Sequence, residues 1–172
     1  MTQQSQAGIA DVLGLRVRLS VRSPLKLKQC SAKLRGIAFE PKSWRDGRSQ
    51  QVETTVPEPG TVHCEVTRRQ RGRGSHYTVA KADLTLADAG DKTTVITGTA
   101  QVSYLYVGMM VGFVVLAVAQ MALLRFTDGA LPSALFVVFL VVIPVFYLGR
   151  LFRDRRDMIA DINNAVQASP ES

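Results

Sequence analysis

The feature that most limits what this chain can become is a block of 46 residues, Tyr104 to Gly149. It holds a single Arg and a single Asp, Arg125 and Asp128. A run of that length must be buried or enter an apolar phase. It divides into Tyr104–Leu124, 21 residues without a charge, and 130–149, another 20, separated by Arg-Phe-Thr-Asp-Gly. As helices rising 1.5 Å per residue, each would be about 30 Å long, the thickness of a hydrocarbon core. The five residues between them permit only a tight reversal. Burying two such helices within the remaining polar-rich chain would take a larger protein, so the expectation is a two-helix transmembrane hairpin.

Charge follows the same division. Of 172 residues, 21 are Lys or Arg and 14 Asp or Glu, a net +7. Up to Ser103 there are 16 basic against 9 acidic residues, which accounts for the whole excess, while the last 23 carry four of each. With 47% hydrophobic residues the chain is not a disordered polar one. Only one block could enter a bilayer, which argues against a polytopic transporter. Arg150, Arg153, Arg155 and Arg156 follow the second apolar run, and the positive-inside rule places such a cluster in the cytoplasm. A hairpin puts the N-terminal part there too, and Met-Thr-Gln-Gln-Ser-Gln has no signal-peptide pattern. The expected location is the bacterial cytoplasmic (inner) membrane, multi-pass, with both termini cytoplasmic. Cys30 and Cys64 are then expected as reduced thiols.

Within the first run, Gly108 and Gly112 give the GxxxG spacing that lets helix backbones approach closely. Packing inside the hairpin is the plain reading; self-association or docking on a partner helix is the other. Gln120 could hydrogen-bond to a facing helix, Pro144 should kink the second helix, and Tyr104, Tyr106 and Tyr147 suit the headgroup level. Neither run contains Asp, Glu, Lys, Arg or His. That argues against a proton relay and removes histidine as a haem ligand.

The polar part reads as a small α+β domain over 15–103, after a flexible N-terminus (1–14). Leu15 to Arg22 alternates apolar and polar residues, a half-buried strand. Ser23-Pro24 suggests an N-cap with Pro at the first helical position. Leu27, Cys30, Leu34 and Ile37 then form the stripe of an amphipathic helix, ended near Glu40-Pro41 and Asp46-Gly47. Trp44 falls in that loop. Strands are expected at 51–56, 61–71, 77–86 and 93–103, with turns at Pro57–Gly60, Arg71–Gly74 and Asp88–Asp91. Short connections favour an antiparallel meander. Leu84 and Leu86 are out of phase with Tyr77 and Val79, which predicts a bulge or twist near Lys81. Phe152, Ile159, Ile162 and Val166 mark a C-terminal amphipathic helix within 150–172. The predicted fold class is an α+β membrane protein: about five antiparallel strands, one N-terminal helix, the hairpin (104–149) and the C-terminal helix.

The segments LSVRSPLKLKQCSAKLRG, GDKTTVITGTAQVS and GRLFRDRR, in this order of elements, resemble uncharacterised bacterial two-span membrane proteins with a small cytoplasmic strand–helix–strands domain. That resemblance implies a place in the inner membrane and no activity. The strands and final helix also resemble helix-grip (START-like) lipid-binding folds, in a domain short for a full cavity.

Sites of chemistry are sparse. His63 and Cys64 are adjacent and point to opposite faces of a strand, while His76 could face His63 across a hairpin; two His without further ligands make a weak zinc signal. Arg68, Arg69, Arg71 and Arg73 form the densest basic run. It reads as a solvated hairpin tip or, together with Arg150, Arg153, Arg155 and Arg156, as a contact for anionic lipid headgroups. Without interleaved aromatics, nucleic acid is not an expected partner. Ser75-His76 sits in a Gly-rich turn with no scaffold, Asp83, Asp88 and Asp91 surround one turn, and Cys30 lies on a buried stripe. No catalytic, metal or cofactor site is predicted. The expected function is a non-enzymatic inner-membrane accessory, scaffold or assembly subunit. Its partners would be the lipid bilayer and other membrane-protein subunits, or a second copy through the hairpin. The alternative is a membrane-tethered lipid- or amphiphile-binding module.

Overall fold

The structure, a computed structural model, describes residues 14–40, 47–71, 76–124 and 131–167; within these, side chains at 121, 123, 124 and 131–140 are not described. The expected flexible N-terminus, Trp44, Arg73, Ser75 and the reversal at Arg125 and Asp128 lie outside the described residues. The chain divides into two compact units, Met1–Val102 with Asp154–Ser172, and Ser103–Arg153.

The first unit contains β1 (Arg16–Ser23), α1 (Leu27–Gly36), β2 (Arg48–Glu58), β3 (Thr61–Arg71), β4 (His76–Asp88) and β5 (Thr94–Val102). The five strands form one antiparallel sheet in the order β1-β5-β4-β3-β2. Short turns make β2 to β5 a meander. The turn after β2 closes on Gly60 at φ +83°, and the one after β4 uses Gly90, Asp91 and Lys92, all at positive φ. β1 pairs with β5, so α1 carries the chain from one edge of the sheet to the other. Ser23 does not cap that helix. It still pairs with Thr94 as the last residue of β1, and its hydroxyl accepts from the Leu25 amide and donates to the Val166 carbonyl.

Alternation fixes which face is buried. Val62, Cys64 and Val66 of β3 lie level with Leu86, Leu84 and Ala82 of β4, and Ile96 and Ala100 of β5 continue the same face. These side chains form a core with Leu25, Cys30 and Leu34 from α1 and with Met158, Ile162 and Val166 from the chain's last helix. The predicted bulge is present: between the pairs Arg68–Ala80 and Arg69–Thr78, β4 has one extra residue, Val79. At Gly98 a Cβ would collide with the Asp83 carbonyl oxygen and sit 2.9 Å from Leu84 Cα, so only glycine lets β5 approach β4 this closely.

The remaining helices are α2 (Tyr104–Leu124) and α3 (Leu131–Gln167). Here the sequence expectation is corrected. α3 is one helix of 37 residues that contains Pro144, so the expected separate helix from Leu151 is its last part. Among the described residues no helix is long and apolar enough to cross a membrane. The transmembrane hairpin, the membrane fold class and the multi-pass inner-membrane location with its orientation are overturned together.

Candidate functional site

Arg68 does not lie in a solvated hairpin tip. It has the same parity in β3 as Val62, Cys64 and Val66, so it continues the core face, where it is 5% exposed. Its Nε donates to Gln50 Oε1 at 3.0 Å, Nη1 to the Asp154 carbonyl at 2.9 Å and Nη2 to Asp161 Oδ2 at 2.8 Å. The guanidinium also lies 5.8 Å from the centre of the Phe39 ring. Gln50 in turn donates from Nε2 to the Ile37 carbonyl. Asp154 is buried and pairs with Arg48 at 3.4 Å. This network ties the β2–β3 end of the sheet to the part of α3 that belongs to the first unit. It is a fastening of the fold, with each of the three guanidinium nitrogens already hydrogen-bonded.

The other residues of the basic run are placed differently. Arg69 and Arg71 face away from the core and line a cleft of about 260 Å³ with Glu40, Ser49, Gln51 and His76. Arg150 is half-buried with its Nε unpartnered among the described residues, Arg155 donates to the Gly14 carbonyl, and Arg153 and Arg156 are exposed. Burial, followed by the Arg156 charge, lowers the pKa of Arg155. Of the eight arginines read as a possible anionic-lipid contact, Arg68 is engaged internally and Arg73 lies outside the described residues.

In the second unit, α2 withdraws Met110 and Ala117 from solvent, and α3 withdraws Pro144 and Leu151. Most of the other described side chains of the two helices are apolar and exposed. Leu105 is 72% exposed, Val115 62% and Phe146 71%. Gly108 and Gly112 are exposed as well, and a Cβ at either would meet no described atom within 4 Å, while Gln120 is half-buried. The glycine stripe thus faces open space among the described residues.

A groove of about 590 Å³ runs along the flank of α1. Gln29, Ala32, Lys33 and Gly36 line it, with Leu25, Ile37 and Ala165. It borders the core through Leu25, Ile37 and Ala165, while the core side chains between sheet and helices are buried.

The chemistry-bearing groups are dispersed. His63 lies opposite Thr55 and Thr85, whereas His76 lies opposite Arg71 at the other end of β3, so the two histidines do not face each other. Among the described residues, no three His, Cys, Asp or Glu side chains are grouped to hold a metal. Asp88 Oδ1 accepts the Gly90 amide within its turn. Asp83 and Glu65 both pair with Lys81, at 3.3 and 2.9 Å; the Lys81 bond is the main cause that lowers the pKa of Glu65. Burial pushes the Cys64 thiol up to about 11, with neighbouring Cys30 adding and Arg35 opposing. Burial also raises Cys30, against a hydrogen bond with Ser23. Both are free, buried and protonated at neutral pH.

No protein-family model and no curated protein sequence matches this chain. The resemblance to two-span membrane proteins rested on order of elements, and with no matching family and no spanning helix among the described residues it is withdrawn.

Proposed function

We propose that this chain is a non-enzymatic accessory or assembly subunit, whose apolar helices pack against helices of a partner polypeptide and hold the α+β unit at that partner. The observation that carries the reading is the apolar surface of the described side chains of α2 and α3, with Leu105 and Phe146 more than two-thirds exposed. A helix that is apolar on every side is covered in its working state, and exposed apolar patches of this extent mark interaction surfaces. The open Gly108–Gly112 stripe suits close approach of a second helix. The test is a photo-crosslinker at Val115 in the full chain within its native cell. A discrete protein adduct that Gly112→Leu abolishes is the expected result. Labelling only by a photoactivatable lipid, or adducts indifferent to Gly112→Leu, would overturn it.

A second reading has its own observation. The α1 groove, apolar with Gln29 and Lys33 at its rim, has room for part of an acyl chain. The terminal helix against the sheet is the arrangement that a helix-grip likeness implies. Stoichiometric lipid retained in native mass spectrometry, and displaced by Ala32→Trp, would favour an amphiphile-binding module over the assembly role.

A further inference from the structure

We infer that the solvent face of the sheet carries a binding site for a small phosphomonoester, held by Arg69, Arg71 and His76. The site does not depend on the apolar surface invoked above. Strand register builds it. Ser49 lies opposite Arg69, Arg69 opposite Thr78, and Arg71 opposite His76. Residues two apart on a strand share a face, so both arginines look away from the core, and Ser49 and His76 look with them. The bulge at Val79 is what makes this possible. Ala80, Ala82, Leu84 and Leu86 are core residues, so an unbroken alternation would send Thr78 and His76 inward as well. The extra residue re-aims them to the solvent face, as bulges beside functional sites do. On the other side, the bridge between Phe39 and Gln50 sets Phe39 level with a core-face residue, which leaves Glu40 on the solvent face.

The two guanidiniums are available. Arg68 is satisfied by Gln50, Asp154 and Asp161, Arg22 bonds Thr93, and Lys81 is shared between Glu65 and Asp83. Among the described residues, Arg69 and Arg71 have no ion pair and no side-chain hydrogen bond, although they share one cleft. Like charges held close repel, and a bound anion removes that cost. The donors that converge are two planar forks, a hydroxyl, an amide and an imidazole. A tetrahedral phosphate has enough acceptor oxygens for them, whereas a carboxylate would leave several unmatched. Among the described residues, Glu40 is the single carboxylate lining the cleft. It disfavours a second anionic group and accepts from a hydroxyl or ammonium, which selects a monoester with such a group beside its phosphate.

The test is calorimetric titration of the full chain with glycerol phosphate and with inorganic phosphate, and flotation with phosphatidylcholine vesicles with and without phosphatidic acid. Binding to glycerol phosphate or to the phosphatidic acid vesicles is expected, and the arm that binds tells whether the source is soluble or a lipid headgroup. Arg69→Gln and Arg71→Gln should each weaken it about tenfold, with unchanged circular dichroism. Glu40→Gln should erase the preference for glycerol phosphate over inorganic phosphate. Arg16→Gln, elsewhere on the same face, should leave affinity unchanged. No binding in either arm, or equal weakening by Arg16→Gln and Arg71→Gln, overturns the site.

Discussion

Replacing Arg68 by Met keeps most of the side chain's length and removes all of its donors, which separates a fold fastening from a surface charge. The bonds are unequal. Asp161 has a side chain 40% exposed, so water replaces its 2.8 Å partner at little cost, at most about 1 kcal/mol. Gln50 and the Asp154 carbonyl are buried, and each would lose its charged donor. A buried acceptor left unmatched costs about 1–3 kcal/mol. Burial of an apolar Met returns part of this, so the expected loss for Arg68→Met is about 3 kcal/mol. Arg68→Lys keeps the charge but cannot span three acceptors and should lose about half as much. Asp161→Asn should lose less than about 1 kcal/mol. Urea unfolding of the full chain, followed by circular dichroism, measures all three. Raising salt from 0.15 to 0.5 M should leave the Arg68→Met loss unchanged, because buried pairs are screened little. An Arg68→Met variant within about 0.5 kcal/mol of wild type, the range of ordinary surface substitutions, would refute the reasoning. So would a loss that Asp161→Asn reproduces in full.

Three further outcomes follow from the same physics. Gly98→Ala should destabilise by about 1–3 kcal/mol in the same urea assay, since the Asp83 carbonyl and Leu84 backbone must move to admit a Cβ. Lys81→Met should cost no more than about 1 kcal/mol despite two ion pairs, because its partners are about one-third exposed; the loss should shrink with salt. For Cys64, the folded thiol holds its proton up to about 11 against an ordinary 9.0. The folded state therefore binds more protons in that window, and its stability is intact below pH 9 and falls as pH rises toward 11. Cys64→Val should flatten that part of the urea-midpoint profile, and an unchanged profile would contradict the assignment.

The sheet was legible because its signal is local. The alternation of Leu15 to Arg22, the Asp88–Asp91 turn and the phase break before Leu84 each report on neighbouring residues, and all three have counterparts in the structure. Strand order is not local: nothing in β1 says that it pairs with β5 rather than β2. Ser23-Pro24 reads as a helix start on residue preference, but pairing with Thr94 holds Ser23 in the sheet. The clearest missed signal lies in β3. Counting in twos from Val62 through Cys64 and Val66 arrives at Arg68, so parity alone separates it from Arg69 and Arg71. Arg68 to Arg73 look like one charge run only when that alternation is ignored. Asp154 was hidden in the same way. It lies one turn before Met158 on the buried stripe of α3, where a search for apolar periodicity passes over a charged residue.

The apolar block shows the opposite weakness, because composition constrains the need for burial more tightly than the means of burial. Absence of charge along α2 says that its surface prefers an apolar neighbour, and bilayer and protein satisfy that preference alike. Length was the argument for a bilayer, and among the described residues that argument does not hold. What distinguishes neighbours is shape. A fluid neighbour makes no demand on side-chain size, so Gly108 and Gly112 could be enlarged without consequence. A helical neighbour needs the cleft that the two glycines leave, and leucine at either position would close it. On the proposed assembly role, the block's function rests on its least hydrophobic residues. Gly112→Leu raises apolarity and should still abolish the association, whereas a purely hydrophobic attachment would grow stronger.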